Sequence, residues 1–70
     1  MFIPVQGKIT RVTAHAVLWK YTKRAHRIAG FREDAETWIP RSQIEDGDLV
    51  GMGDEEILVK DWFVEKEDLQ

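Results

Sequence analysis

Positive charge and aromatic rings are interleaved along one stretch of the sequence, between positions 19 and 32. Our candidate site residues in this stretch are Trp19, Lys20, Tyr21, Lys23, Arg24, His26, Arg27 and Arg32. Single-stranded nucleic acid is bound by such combinations, because cations follow the phosphates while aromatic rings stack on the bases. One hypothesis is therefore a single-stranded nucleic-acid-binding surface with Trp19 and Tyr21 as its stacking platforms.

The distribution of charge supports a different interpretation of the same segment. The first 32 residues contain seven Lys or Arg and no acid, whereas the remaining 38 contain thirteen acids and three bases. This asymmetry favours electrostatic contact with another part of the fold, another copy of the chain or a partner. In this interpretation Trp19 or Tyr21 belongs to the core, and the basic side chains form a solvated face paired with the acidic half.

Side chains that perform catalysis or bind metals do not form a known pattern. The sequence has no cysteine, which excludes disulfides, thiol catalysis and cysteine-based zinc sites. His15 and His26 lie in different segments, and Ser42 is better explained as a helix cap than as a nucleophile. We therefore expect a protein that is not an enzyme and that has no metal and no cofactor.

The length of 70 residues predicts a single domain, residues 1–70, with a small core. Small domains gain stability from disulfides, metals or self-association, and here aromatic packing and self-association remain. No apolar run approaches the ~20 residues that span a bilayer, so we expect no membrane partner.

The elements that would position these residues are short. Alternation of polar and apolar residues predicts strands at 8–13, 16–21 and 36–39, with a further strand at 48–50 or 55–59. The stretch 22–35 has no clear period and is interpreted as a long connection. The faces of the second strand are Ala16, Leu18 and Lys20 on one side and Val17, Trp19 and Tyr21 on the other.

Local signals predict a capped turn and a terminal helix. Ser42 and Glu45 have the spacing of a capping box, and Gly47 is expected to end that turn in the left-handed conformation. The tail, 60–69, is interpreted as a helix that Trp62 and Phe63 dock on the body. Trp62→Ala is expected to cost about 3–5 kcal/mol if the ring is fully buried. Trp38 is predicted to be a core residue.

Together these elements predict a mainly β (α+β) fold. It would be a small antiparallel partial barrel, either SH3-like or OB-like, with one short capped turn and a C-terminal helix.

Two motifs carry a resemblance to a known group of proteins. Residues 38–44 (WIPRSQI) and 57–66 (ILVKDWFVEK) resemble small phage and prophage proteins of mostly uncharacterised function. In that group a W-[IFL]-P-[KR]-S segment is followed by a strand and a W-[FL]-x-x-K helix. The resemblance implies a compact β-rich domain in the cytoplasm of a bacterial host, and it implies no catalytic residues. The basic stretch 22–34 departs from the pattern, where a short hairpin would be expected.

Our leading functional hypothesis is a non-catalytic phage or prophage accessory module. It would contact a protein partner, or itself, through its oppositely charged halves. The first alternative is single-stranded nucleic-acid binding by the basic aromatic segment. The second is inhibition of a bacterial defence complex, in which the acidic half imitates the phosphates of DNA.

Overall fold

The computed structural model describes residues 1–25 and 27–70, which form five strands in two antiparallel sheets and one helix. The strands are β1 (Phe2–Gln6), β2 (Lys8–Val12), β3 (Ala16–Arg24), β4 (Arg32–Pro40) and β5 (Glu56–Lys60). Short 3-10 turns at Arg41–Gln43 and Gly47–Leu49 precede β5, and helix α1 (Asp61–Glu67) follows it directly. The predicted mainly β fold with a C-terminal helix is confirmed.

The connectivity distinguishes between the two predicted barrel types. Strands β2, β3 and β4 form a consecutive antiparallel meander, while β1 pairs with β5. An OB-fold is a Greek-key barrel. The plain meander, with the first strand paired to the last, therefore matches the SH3-like alternative.

The two sheets are joined along the outer edge of β2. The amide of Gly7 donates to the carbonyl of Glu55 (3.0 Å), and the amide of Ile9 donates to that of Asp54 (2.9 Å). The amide of Gly53 returns a hydrogen bond to the carbonyl of Ile9 (2.9 Å). Within β2, these bonds satisfy both the amide and the carbonyl of Ile9.

The core lies between the sheets and under α1. Its buried apolar side chains come from every strand, from the helix, and from Ile44 and Leu69 outside these elements: Val5, Ile9, Val17, Trp19, Tyr21, Ile39, Ile44, Ile57, Val59, Phe63, Val64 and Leu69. In β3, every second residue from Val17 to Tyr21 points inward, as the two-residue period of a strand requires.

The stretch 22–35 was predicted wrongly. It is not an irregular connection, because β3 continues to Arg24 and β4 begins at Arg32, so that only residues 25–31 join the two strands. Beyond Tyr21 the hairpin extends past the core, and its residues are polar on both faces. The alternation of polar and apolar residues that reveals a strand is therefore missing there.

Two of the three tryptophans occupy environments that the sequence did not predict correctly. Trp38 and Trp62, expected in the core, are 46% and 50% exposed. Phe63, with Val64 and Leu69, holds α1 on the body instead. Trp62 only packs edge-on against the ring of Phe63, at 5.5 Å between centroids. Trp19 is completely buried.

The predicted capping box is also wrong. The first 3-10 turn starts at Arg41 with Pro40 as its N-cap, two residues earlier than a Ser42 cap implies, and the Ser42 hydroxyl accepts only a long bond from the side-chain amide of Gln43 (3.4 Å). The left-handed residue is Asp46 (φ 54°) rather than Gly47. Gly47 is needed for a different reason, because a Cβ there would overlap the backbone carbonyl of Arg41.

Candidate nucleic-acid interface

The outer face of the β2–β3–β4 sheet carries most of the positive charge that the structure places on regular elements. Since strand residues alternate between faces, the residues opposite each other on this surface can be read from the strand register. We call this surface the basic face, and it comprises Lys8, Arg11, Ala16, Leu18, Lys20, Thr22, Arg24, Arg32, Asp34, Glu36, Trp38 and Pro40.

Trp38 supplies the large exposed ring of the basic face. It lies directly opposite Leu18, which in turn lies opposite Arg11 on β2. Ile39 must point inward because it pairs with Val17 in the core. The neighbouring Trp38 is therefore forced outward. An exposed indole beside cationic side chains is a surface on which an unpaired base can stack.

Two rows of the basic face place like charges directly opposite each other. Lys8 pairs with Lys20 at one end of the sheet, and Arg24 pairs with Arg32 at the end of the hairpin. Like charges at opposed positions destabilise a sheet. These two pairs therefore concentrate positive charge on the surface although they lower the stability of the fold. Such a loss of stability is expected of a surface that binds an anion.

The Lys and Arg side chains of this face are not neutralised by short ion pairs. Glu36 lies opposite Lys20, yet the one ion pair among residues 1–25 and 27–70 joins the Met1 amino group to Asp61 (3.9 Å). Arg32 instead lies across Thr22, donating to its carbonyl (2.6 Å) and its hydroxyl (3.2 Å). Its guanidinium is thereby held flat on the sheet.

The hairpin tip, which we define as residues 25 and 27–31, continues the basic face. The amide of Ala25 donates to the carbonyl of Phe31 (2.9 Å), and the amide of Phe31 donates to the carbonyl of Ile28 (3.3 Å). Gly30 (φ 82°) supplies the left-handed residue of this turn. Ile28 and Phe31 are 55% and 64% exposed, so the tip presents apolar side chains to solvent.

The structure separates the residues that the sequence proposed for the site. Lys20, Arg24 and Arg32 share the basic face, and Arg27 is exposed in the tip. Lys23 points to the opposite face of the hairpin, across from Glu33. His26 lies outside the described residues.

The stacking role predicted for Trp19 and Tyr21 is wrong, because both rings face the core. The Tyr21 hydroxyl donates to the backbone carbonyl of Glu67 (2.6 Å). Burial, reinforced by the charges of Glu67 and Asp68, raises the pKa of Tyr21 above its ordinary value of 10.0. Tyr21 thus stays neutral and fastens the end of α1 to β3.

Sequence reasoning missed Trp38, Lys8 and Arg11 as members of the surface. Lys8 and Arg11 were assigned to a strand without a role, and Trp38 was placed in the core. The available signal was the strand alternation itself. It already grouped Leu18 with Lys20, and the register across β3 and β4 extends that group to Trp38.

The acidic residues of the second half do not gather into one comparable surface. They are spread over β4, where Asp34 and Glu36 lie on the basic face itself, over the turns before β5, the start of β5, and helix α1 with the residue that follows it. Asp54 has a local task, since its carboxylate accepts from the Gly51 amide (2.9 Å). Within the described ranges no group of three His, Asp or Glu is placed to hold a metal ion.

No protein-family model, curated protein or solved structure matches the chain. None of the helices in the described part of the chain has the length and apolar character needed to cross a membrane.

Proposed function

We propose that this protein is a small, non-catalytic phage or prophage accessory module that binds single-stranded nucleic acid on its basic face. The observation that carries the proposal is a half-exposed Trp38 on the same sheet face as the opposed pairs Lys8–Lys20 and Arg24–Arg32. The phage or prophage origin is supported by the WIPRS and WFVEK motifs alone.

The arrangement of charge and ring suits a flexible anionic strand. Residues two apart on a β-strand lie roughly 6.7 Å from each other, so Lys20, Thr22 and Arg24 form a line of evenly spaced polar groups along β3. A single strand laid along this line would place phosphates near Lys20 and Arg24 while one base stacks on Trp38. Stacking on a ring requires a base whose face is free, which favours unpaired nucleotides over a continuous duplex.

A protein partner was our leading hypothesis from the sequence, and the geometry favours the nucleic-acid alternative. A protein-binding surface usually has a charge-depleted core of apolar and aromatic residues with charge at its rim. On the basic face, Trp38 and Leu18 are instead bordered within the sheet by Arg11, Lys20 and Glu36. Charge is thus distributed over the centre of the surface.

The test is fluorescence anisotropy of a labelled oligothymidylate titrated with protein at about 50 mM salt. Loss of one base–aromatic stack is worth about 1–3 kcal/mol, so Trp38→Ala should weaken binding by about 5-fold to 150-fold. Trp38→Phe keeps a ring at the position and should retain most of the affinity.

Trp62 offers a matched control for this experiment. It is exposed to nearly the same extent as Trp38 but lies on α1, away from the basic face. Trp62→Ala should leave the affinity unchanged. Absence of binding at low salt, or equal losses in the Trp38→Ala and Trp62→Ala proteins, would refute the proposed function and direct the search to protein partners in a host lysate.

A further inference from the structure

The exposed apolar side chains at the hairpin tip have no role in holding the fold together. Ile28 and Phe31 are absent from the buried core and from the half-buried residues that pack against it. The backbone bonds of the turn order the tip without their help, because they join Ala25 to Phe31 and Phe31 to Ile28 through main-chain atoms.

Basic side chains lie on both sides of this apolar tip. Lys23 and Arg24 end β3, Arg32 begins β4, and Arg27 lies in the turn itself. The opposed residues Arg24 and Arg32 form the last pair of the basic face, and the hairpin tip begins directly after this pair. From Trp38 to that row β4 extends over six residues, or about 20 Å. A single strand lying along the face therefore reaches the tip at its end.

We propose that the hairpin tip packs on the end of a duplex, so that the preferred ligand is a junction between single-stranded and double-stranded nucleic acid. This inference rests on the proposed function. The last base pair of a duplex presents a flat apolar surface bordered by phosphates of both strands. Apolar side chains such as Phe and Ile contact base-pair faces when DNA-binding proteins insert them between base steps. The Lys and Arg side chains on both sides of the tip complement the two phosphate chains.

A second unpaired base stacked on Phe31 is a less complete explanation. It would use one ring and leave Ile28, an aliphatic side chain with no π-face, in water. A base pair is wide enough to cover both side chains at once. Basic groups on both strands of the hairpin also exceed what one phosphate chain requires.

The experiment compares three DNA probes by anisotropy: an oligothymidylate, the same oligothymidylate attached to a short blunt-ended duplex, and that duplex alone. The tailed duplex should bind about tenfold more tightly than the free tail, since one stacking contact is worth about that factor. The blunt duplex should bind more weakly than either.

Two double variants isolate the tip. Ile28→Ser with Phe31→Ser should remove the advantage of the tailed duplex while leaving the affinity for the free tail unchanged. Leu49→Ser with Met52→Ser changes apolar side chains that are also well exposed but lie in the turns before β5, and should leave both affinities as they were. All four side chains are exposed, so chemical denaturation should show each variant folded.

The possible outcomes separate this inference from the proposed function. If the free tail binds but the tailed duplex binds no more tightly, the role of the tip is refuted and the basic face remains the binding surface. The role of the tip is also refuted if the double variant Ile28→Ser with Phe31→Ser still binds the tailed duplex more tightly than the free tail by the same factor. If neither probe with a tail binds, both proposals fail.

Discussion

Arg41 and Gly47 hold each other in place from two directions. The Arg41 guanidinium donates through Nη1 to the carbonyl oxygen of Gly47 (2.7 Å), while the Cα of Gly47 is packed so closely on the Arg41 carbonyl that no side chain fits. The same Nη1 also donates to the carbonyl of Val50 (2.9 Å), and Nε donates to that of Thr13 (3.0 Å). One side chain thus satisfies three backbone acceptors in two loops, the β2–β3 turn and the segment before β5, which explains an arginine after Trp38-Ile39-Pro40.

Replacement of Arg41 by lysine should lower the stability although the charge is kept. A lysine ammonium is a compact charge that cannot span acceptors in three directions as a planar guanidinium does. We expect a loss of about 2–3 kcal/mol in the free energy of unfolding, measured by urea denaturation. Arg11→Lys is the matched control, because Arg11 is exposed on the basic face, and it should change the stability by less than about 0.5 kcal/mol. Equal effects would contradict the role assigned to Arg41.

Gly7 should not tolerate alanine. The chain turns there from β1 into β2 directly over Trp19, and an added Cβ would lie 2.8 Å from the indole ring and even closer to the Lys20 carbonyl. Neither the backbone nor a buried ring can move easily to make room for the added methyl group. We therefore expect the free energy of unfolding to fall by about 1–3 kcal/mol. Gly51→Ala is the control, since a Cβ at Gly51 meets no atom within 4 Å. Thermal unfolding of the two variants should show a lower Tm for Gly7→Ala only.

The three tryptophans should differ sharply in their contribution to stability. Trp19→Ala should cost about 3–5 kcal/mol and leave little folded protein, because it empties the centre of the core. Trp38→Ala and Trp62→Ala should each cost less than about 1 kcal/mol, since these rings are half exposed. Circular dichroism during urea unfolding provides the comparison. A large loss for Trp62→Ala would restore the docking role that the sequence predicted for it.

Tyr21 should make the stability depend on pH only in the alkaline range. Its pKa in the folded state is raised by burial and by Glu67 and Asp68, so the neutral phenol is favoured by folding. The stabilisation is therefore complete below the unfolded pKa of about 10 and is lost as the pH rises through the higher folded value. Tyr21→Phe should remove the bond to Glu67, at about 0.5–1.5 kcal/mol, and make the decline above about pH 10 less steep. A decline of equal steepness in both proteins would contradict this role.

The affinity for a single strand should fall steeply with salt. The slope should be proportional to the number of Lys and Arg side chains of the basic face that contact phosphates. If Lys8, Arg11, Lys20 and Arg24 each neutralise one phosphate, the affinity should fall about 50-fold between roughly 50 and 200 mM salt. Lys8→Gln with Lys20→Gln should reduce both the affinity and the salt slope, by about half for the slope. Lys60→Gln with Lys66→Gln removes the same charge from β5 and α1. If the two double variants had the same salt slope, that slope would depend only on the net charge of the protein and not on the charges of the basic face.

The sequence was informative for most elements with one apolar face, although it did not predict β1. The polar and apolar alternation of β2 and of the first half of β3 predicted both strands. Of the two positions proposed for a further strand, 48–50 and 55–59, the second is β5. It failed over 22–35, where the two arms of the hairpin leave the core and hold each other through backbone hydrogen bonds. Such bonds are independent of side-chain type, so polar residues on both faces leave no periodic signal there.

For the candidate site, the sequence by itself determined the residue types and the two faces of β3. It grouped Trp19 with Tyr21 and Leu18 with Lys20, because alternation is a local property of a strand. Only the tertiary structure decided which group faces water. That choice depends on what packs beneath the sheet, and here Ile9, Val59 and α1 bury Trp19 and Tyr21 while the register of β4 leaves Trp38 outside. The basic face exists because the register of three paired strands brings their outward residues together.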